Sequence, residues 1–108
     1  MSPKAYTSFS AAVIMQALAN GYQYGFDIMD FTALPSGTVY PILSRLEKAD
    51  FVRAKWESAT IAHKELRPRR RYYELTISGA HELSVALEHY RSLASAATPF
   101  GLPKPSHG

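Results

Sequence analysis

Nine of the chain's twelve Lys and Arg residues lie between Ser36 and Leu75, against five Asp and Glu, so this stretch carries +4 while the remainder carries −1. Hydroxyls at Ser36, Thr38, Tyr40 and Ser44 precede Arg45 and Lys48, and farther on comes the run Arg69, Arg70, Arg71. Guanidinium, ammonium and hydroxyl donors hold phosphate oxygens, and an Arg fork also matches the O6 and N7 edge of guanine. A polyanion is the partner such chemistry suits, although charge runs also serve simply as solvated faces. Catalysis finds no support: no Gly-x-Ser-x-Gly elbow, Walker loop or His-Glu-x-x-His pair occurs. His63, His81, His89 and His107 include no i, i+4 pair, and the lack of cysteine excludes thiolate zinc, disulfides and thiol nucleophiles. We expect no catalytic residue, no metal and no cofactor.

Hydrophobic spacing identifies the elements that must hold these groups. Val39, Ile42, Leu43 and Leu46 recur at i, i+3, i+4, i+7, the stripe of an amphipathic helix. Pro41, Ser44, Arg45 and Lys48 fall on the opposite side, with Thr38 and Tyr40 on the flanks, so the outward face is polar, basic and aromatic. Ser36 is placed to cap this helix, and Pro41, which lacks an amide hydrogen, either distorts its first turn or delays its regular start. Tyr40 suits the core or a phosphate contact. Upstream, a helix beginning after Thr7 or Ser8 stops before Asn20-Gly21. A short second helix from Tyr24 puts Tyr24, Ile28 and Phe31 on one face and ends at Leu34-Pro35-Ser36-Gly37.

Downstream the period changes to two. From Phe51 to Glu57, Val52, Ala54 and Trp56 alternate with Arg53, Lys55 and Glu57, and Arg70 to Thr76 is a second such run. Trp56, on the apolar face, is expected as a core anchor. The polar stretch from Ser58 to Arg69 is too long for a tight turn, so the two strands form a hairpin with a long basic tip, with a helical turn within Ala59 to Leu66. Strand neighbours point to opposite faces, so Arg70 or Arg69 reaches phosphate, not all three arginines. Thr76 or Ser78 then caps a long helix carrying Ala80, Leu83, Leu87, Tyr90, Ala94 and Ala97 at alternating spacings of 3 and 4, a seam suited to a second copy of the chain. The expected dimer interface is Phe9 and Val13 of the first helix with Leu83, Leu87, Tyr90 and Ala94.

At 108 residues and 46% hydrophobic, the chain supports one core. The first twenty residues imitate a secretory signal poorly, because Gln16 interrupts the apolar run, and no stretch approaches the length of a membrane span. A soluble, cytoplasmic protein with no membrane partner is expected. The order helix, short helix, tight turn, helix, basic hairpin, long helix is that of a winged helix-turn-helix. The fold class is therefore mainly α (α+β), with a two-stranded β-wing and a C-terminal dimerisation helix. Residues 1–76 form the DNA-binding unit, residues 77–97 the dimerisation helix packed on the same domain, and residues 98–108 a disordered tail rich in proline and glycine. An alternative is a winged-helix module for protein association alone, which would present an apolar, charge-depleted surface in place of the basic one.

Three motifs carry a family resemblance: Tyr24-Gly25-Phe26-Asp27-Ile28; the run from Ser36-Gly37-Thr38-Val39-Tyr40-Pro41 to Arg45-Leu46-Glu47; and Arg71-Tyr72-Tyr73-Glu74-Leu75-Thr76 with Gly79. In order and spacing they closely resemble the PadR family of bacterial transcriptional regulators over roughly residues 9 to 90. The resemblance implies a homodimeric winged-helix repressor on double-stranded DNA, released when a small aromatic or hydrophobic effector or another signal acts. It also favours phosphate as the partner of Tyr40. The sequence departs from the family in a short segment before Ser36-Gly37 and in Asp50, which stands where a glycine usually follows the recognition helix. Asp tolerates the left-handed geometry of that turn better than most residues.

Overall fold

Ser8 opens the first helix by accepting a hydrogen bond from the Ala11 amide at 3.1 Å. The computed structural model describes residues 7–97, and in it α1 (Phe9–Ala19) ends at Asn20 before Gly21, whose φ of 95° turns the chain. Tyr24 is the N-cap of α2 (Gly25–Thr32), and Ala33 at φ 60° closes it in the left-handed conformation, braced by Thr32, whose Oγ1 donates to the Ile28 carbonyl at 2.7 Å. Helix α3 (Ser36–Lys48) buries Val39, Ile42, Leu43 and Leu46, as the stripe requires. Its N-cap is Pro35 rather than Ser36, which sits exposed in the first turn and caps nothing. Pro41 lies within the helix on its exposed side, where water can serve the Gly37 carbonyl left without an amide partner.

Strands β1 (Val52–Trp56) and β2 (Arg71–Leu75) pair antiparallel, from Val52 opposite Leu75 to Trp56 opposite Arg71, and an isolated bridge joins Tyr24 to Tyr72. The core holds Val52 and Tyr73, but the hairpin runs past it. Trp56, expected as a core anchor, is therefore exposed. Glu57, expected outside with Arg53 and Lys55, is buried instead. The segment between the strands folds back as α4 (Ala59–Lys64), capped by Ser58, and delivers Arg67 onto the Glu57 carboxylate through two hydrogen bonds of 2.6 and 2.8 Å. The Arg70 amide adds a third at 3.2 Å. These bonds, Arg67's above all, hold the Glu57 carboxyl well below its ordinary 4.5, at about 2, against the opposing pull of desolvation.

Helix α5 (Ile77–Ala97) starts where the wing ends. Thr76 caps it, accepting from the Gly79 amide at 2.9 Å while donating its hydroxyl hydrogen to the Asp50 carbonyl at 2.7 Å. Asp50 is left-handed at φ 68°. Helix α5 then lies along α1 of its own chain. Leu83 is buried in the protomer's core, Leu87 packs against that core, and Tyr90 donates its hydroxyl to the Thr7 carbonyl at 2.7 Å. Among the interface residues expected from the sequence, Phe9 (62%) and Ala94 are exposed to solvent and Val13 is half-buried, and Leu93 (52%) is exposed as well. The expected tail at 98–108 lies outside the described residues. No described helix is long and apolar enough to cross a membrane.

Two outcomes follow from these contacts. A methyl group at Gly79 would overlap the Phe51 carbonyl, a backbone atom with no rotamer to change. Gly79→Ala should therefore cost about 1–3 kcal/mol in denaturant unfolding; an unchanged midpoint would show the junction to be soft. The depressed pKa of Glu57 means that its pairing stabilises the fold fully above about pH 4.5 and less as pH falls toward 2. The stability gap between the protein and its Glu57→Gln variant should shrink across that window, and a gap independent of pH would contradict the assigned cause.

Candidate nucleic-acid interface

Helix α3 and the wing lie side by side and together present the basic surface. Ser44, Arg45 and Lys48 are exposed on α3, along with Ser36, while Thr38 is half-buried. Arg45 and Lys48 make no ion pair or side-chain hydrogen bond among the described residues, so neither is held by a local carboxylate. On a helical wheel of ~100° per residue, Ser44 and Lys48 lie at the centre of the outward face and Arg45 on its α1 side. Arg45 accordingly lines a groove of about 540 Å³ with Ala11, Ile42, Leu46, Ala49 and Phe51.

Tyr40 lies on the other flank of α3. Its phenol rests on Gly25, the first residue of α2, where any Cβ would overlap the ring. The glycine of the Tyr-Gly-Phe-Asp-Ile motif thus sets how closely the two helices of the helix-turn-helix cross. Tyr40 is 44% exposed, its hydroxyl is the atom nearest Gly25, and the residue lines one hollow with Arg70, Arg71 and Tyr73 of the wing. Burial pushes the neighbouring Tyr73 phenol up, with the Arg71 guanidinium opposing that shift.

The wing arginines divide by task. Arg67 is occupied by Glu57 and Glu65, which raise its pKa further, so it is a structural residue. Arg69 donates from Nε to the Glu57 carbonyl at 2.8 Å and lies 5.9 Å from the Trp56 ring centre. Arg70 projects to the opposite face, 5.4 Å over the Tyr24 ring, beside Phe26 and Asp27. Arg71 bonds the Glu47 carboxylate of α3 at 3.1 Å and also covers Trp56. Ser36, Ser44, Arg45, Lys48, Arg69 and Arg70 are thus solvent-facing as expected. Sequence reading did not single out Arg71 and Trp56 for this surface, although the register that puts them opposite each other was implicit in the alternation of the two strands.

The side chains define a cationic, hydrogen-bonding surface with no cluster of three or more His, Asp or Glu able to hold a metal among the described residues. The family model for the transcriptional regulator PadR-like family matches residues 14–85. A PadR-like transcription factor from Bacteroides fragilis is 26% identical, with 84% of this chain and 88% of that one covered and a TM-score of 0.69. A PadR family transcription regulator from Clostridium difficile R20291 superposes at a TM-score of 0.75 with 22% identity, covering 86% of this chain and 98% of that one. Bordetella bronchiseptica BpsR, whose DNA binding is regulated by 6-hydroxynicotinic acid, is 18% identical at a TM-score of 0.74, covering 97% of this chain and 74% of that one. At these lower identities the last two establish the fold alone. No curated protein matches the sequence. With two thirds of its length matched by the family model and its helix-turn-helix and wing in the corresponding order, the chain belongs to the PadR-like family of transcriptional regulators, DNA-binding proteins and not enzymes.

Proposed function

We propose that the protein is a homodimeric repressor that binds a pseudo-palindromic operator through α3 and the wing. The observation that carries this reading is the pair Arg45 and Lys48, exposed without a carboxylate partner among the described residues on the outward side of α3 beside Ser44. An association module would need an apolar surface there, and this one is charged. In the proposed complex Ser44, Arg45 and Lys48 enter the major groove. Ser36, Thr38, Tyr40, Arg69 and Arg70 hold the flanking backbone.

Dimerisation would use the outer faces of α1 and α5, where Phe9, Leu93 and Ala94 are exposed. A two-fold axis there would set two copies of α3 about one helical turn, or a multiple of it, apart on one side of the duplex. The α1–α3 groove at Arg45 falls in the size range of small-molecule sites. A small aromatic or hydrophobic effector seated there would touch a residue of the reading surface, and the Bordetella protein, whose DNA binding is regulated by 6-hydroxynicotinic acid, is a precedent for small-molecule control.

Reading and holding should separate by mutation. Arg70→Ala should weaken operator and scrambled duplex alike and lower the salt dependence by about one counterion unit. Arg45→Ala should lose more on operator than on scrambled DNA, by ~1–3 kcal/mol if it grips a guanine. Titration of both duplexes at several salt concentrations decides this: an equal loss on both makes Arg45 a backbone contact, and no loss from either variant refutes the DNA-facing surface. For the dimer, Phe9→Glu with Leu93→Glu should halve the mass seen by light scattering while leaving the fold intact by circular dichroism. A dimer mass that persists would move the interface elsewhere.

A further inference from the structure

Trp56 is the chain's one tryptophan, and it stands 56% exposed at the end of β1. An indole left in water forgoes a large apolar burial, so the groups lying on it are informative. Two guanidinium groups lie there, Arg69 at 5.9 Å and Arg71 at 5.8 Å from the ring centre. The strand register produces the arrangement. Arg71 is directly opposite Trp56, and Arg69, two residues before Arg71, shares its face. Arg71 bonds Glu47 of α3, so this is the wing face turned toward the recognition helix.

Each arginine has a second tether that aims it. Arg69 is fixed through Nε by the Glu57 carbonyl, leaving its terminal nitrogens without a hydrogen bond among the described residues. Arg71 uses Nη2 for Glu47, and none of its other side-chain nitrogens makes a hydrogen bond among the described residues. Both guanidinium groups therefore lie over one ring, both arginines are exposed, and most of their donors carry no hydrogen bond among the described residues. The partner of such a surface is a row of phosphates spaced along a backbone.

We propose that Trp56, Arg69 and Arg71 form a phosphate clamp in which the indole is the platform holding both guanidinium groups toward the nucleic-acid backbone that passes between wing and recognition helix. The proposal rests on the DNA-binding reading and adds to it a positioning residue, Trp56, and a contact residue, Arg71. Stacking on the ring restricts the long arginine side chains before the ligand arrives, so less freedom is lost on binding. Because phosphate carries no base identity, the clamp contributes equally on every sequence.

A mutant cycle on a labelled duplex, read by fluorescence anisotropy at several salt concentrations, tests it. Trp56→Ala should weaken binding about fivefold on operator and random duplex alike, while Trp56→Phe, which keeps a ring under the arginines, should stay within about twofold. Arg69→Gln with Arg71→Gln should weaken binding further and lower the salt slope by about two counterion units. In that arginine-free background Trp56→Ala should cost nothing more. The same fivefold loss in both backgrounds, or no loss from Trp56→Ala at all, overturns the clamp. Acrylamide quenching of the single tryptophan gives a readout free of DNA, because inorganic polyphosphate should shield Trp56 in the unaltered protein. Shielding by polyphosphate without duplex binding keeps the clamp and refutes the DNA reading. Duplex binding with neither shielding nor coupling refutes the clamp alone, and the absence of both duplex binding and shielding refutes the two together.

Discussion

The functional surface depends on one junction, where Thr76 and Gly79 at the start of α5 meet Asp50 and Phe51 at the end of α3. Three hydrogen bonds and one close approach meet there. The Thr76 hydroxyl donates to the Asp50 carbonyl, the Thr76 amide to the Phe51 carbonyl at 3.0 Å, and the Gly79 amide to the Thr76 hydroxyl. Gly79 lies against Phe51 with no room for a side chain. Recognition helix, wing and terminal helix thus meet within a few residues of backbone. Their relative angles are set by these hydrogen bonds and by the Gly79–Phe51 contact as well as by apolar packing.

Given that frame, the basic segment divides into cations that build and cations that wait. Arg67 is committed to Glu57, and the pair fixes where α4 sits and therefore where Arg69 and Arg70 leave the loop. Breaking such a partly buried pair leaves an unpaired charge, which is far more costly than losing an exposed one. Lys55 with Glu74 and Arg91 with Glu88 are exposed pairs of the kind that contribute little. Arg45, Lys48, Arg53, Lys64, Arg69 and Arg70 remain without an ion pair among the described residues. Net charge alone, at +3 for the whole chain, hides this division.

Helix α3 was legible because it buries a stripe at helical spacing, and the residues named from that stripe are the buried ones, whereas on the face read for α2 only Ile28 is buried and Phe31 is 41% exposed. The left-handed turn at Asp50 was legible too, as a residue tolerant of positive φ standing where glycine is usual. The misreadings share a cause. Alternation tells which strand residues share a face, but not how far the core extends beneath that face. Trp56 shares a face with Val52 and Ala54, yet the helices stop supporting the sheet before reaching it. Glu57 lies just beyond the strand, where the returning loop covers it, and no local pattern announces a carboxylate that a residue ten positions later will bury. In α5, apolar spacing marks a face that must be covered but not by what: Leu83 is buried in its own chain's core and Leu87 is partly buried against it.

Helix α1 connects these observations. It packs against α2, α3, β2 and α5, and its Ile14 and Met15 are fully buried between them. Thr7, just before it, accepts from the Tyr90 hydroxyl and donates to the Glu82 carboxylate at 2.6 Å, so α1 and α5 are tied near the α1 N-terminus by polar bonds as well as by Phe9 against Tyr90. Close-packed interiors do not absorb displacement gradually; packed elements shift together or hold. Helix α1 lies between α5 and α3, in contact with both. In a dimer built on the outer faces of α1 and α5, the distance between the two copies of α3 would be set by these contacts, and a ligand wedged between α1 and α3 would act on the link that fixes it.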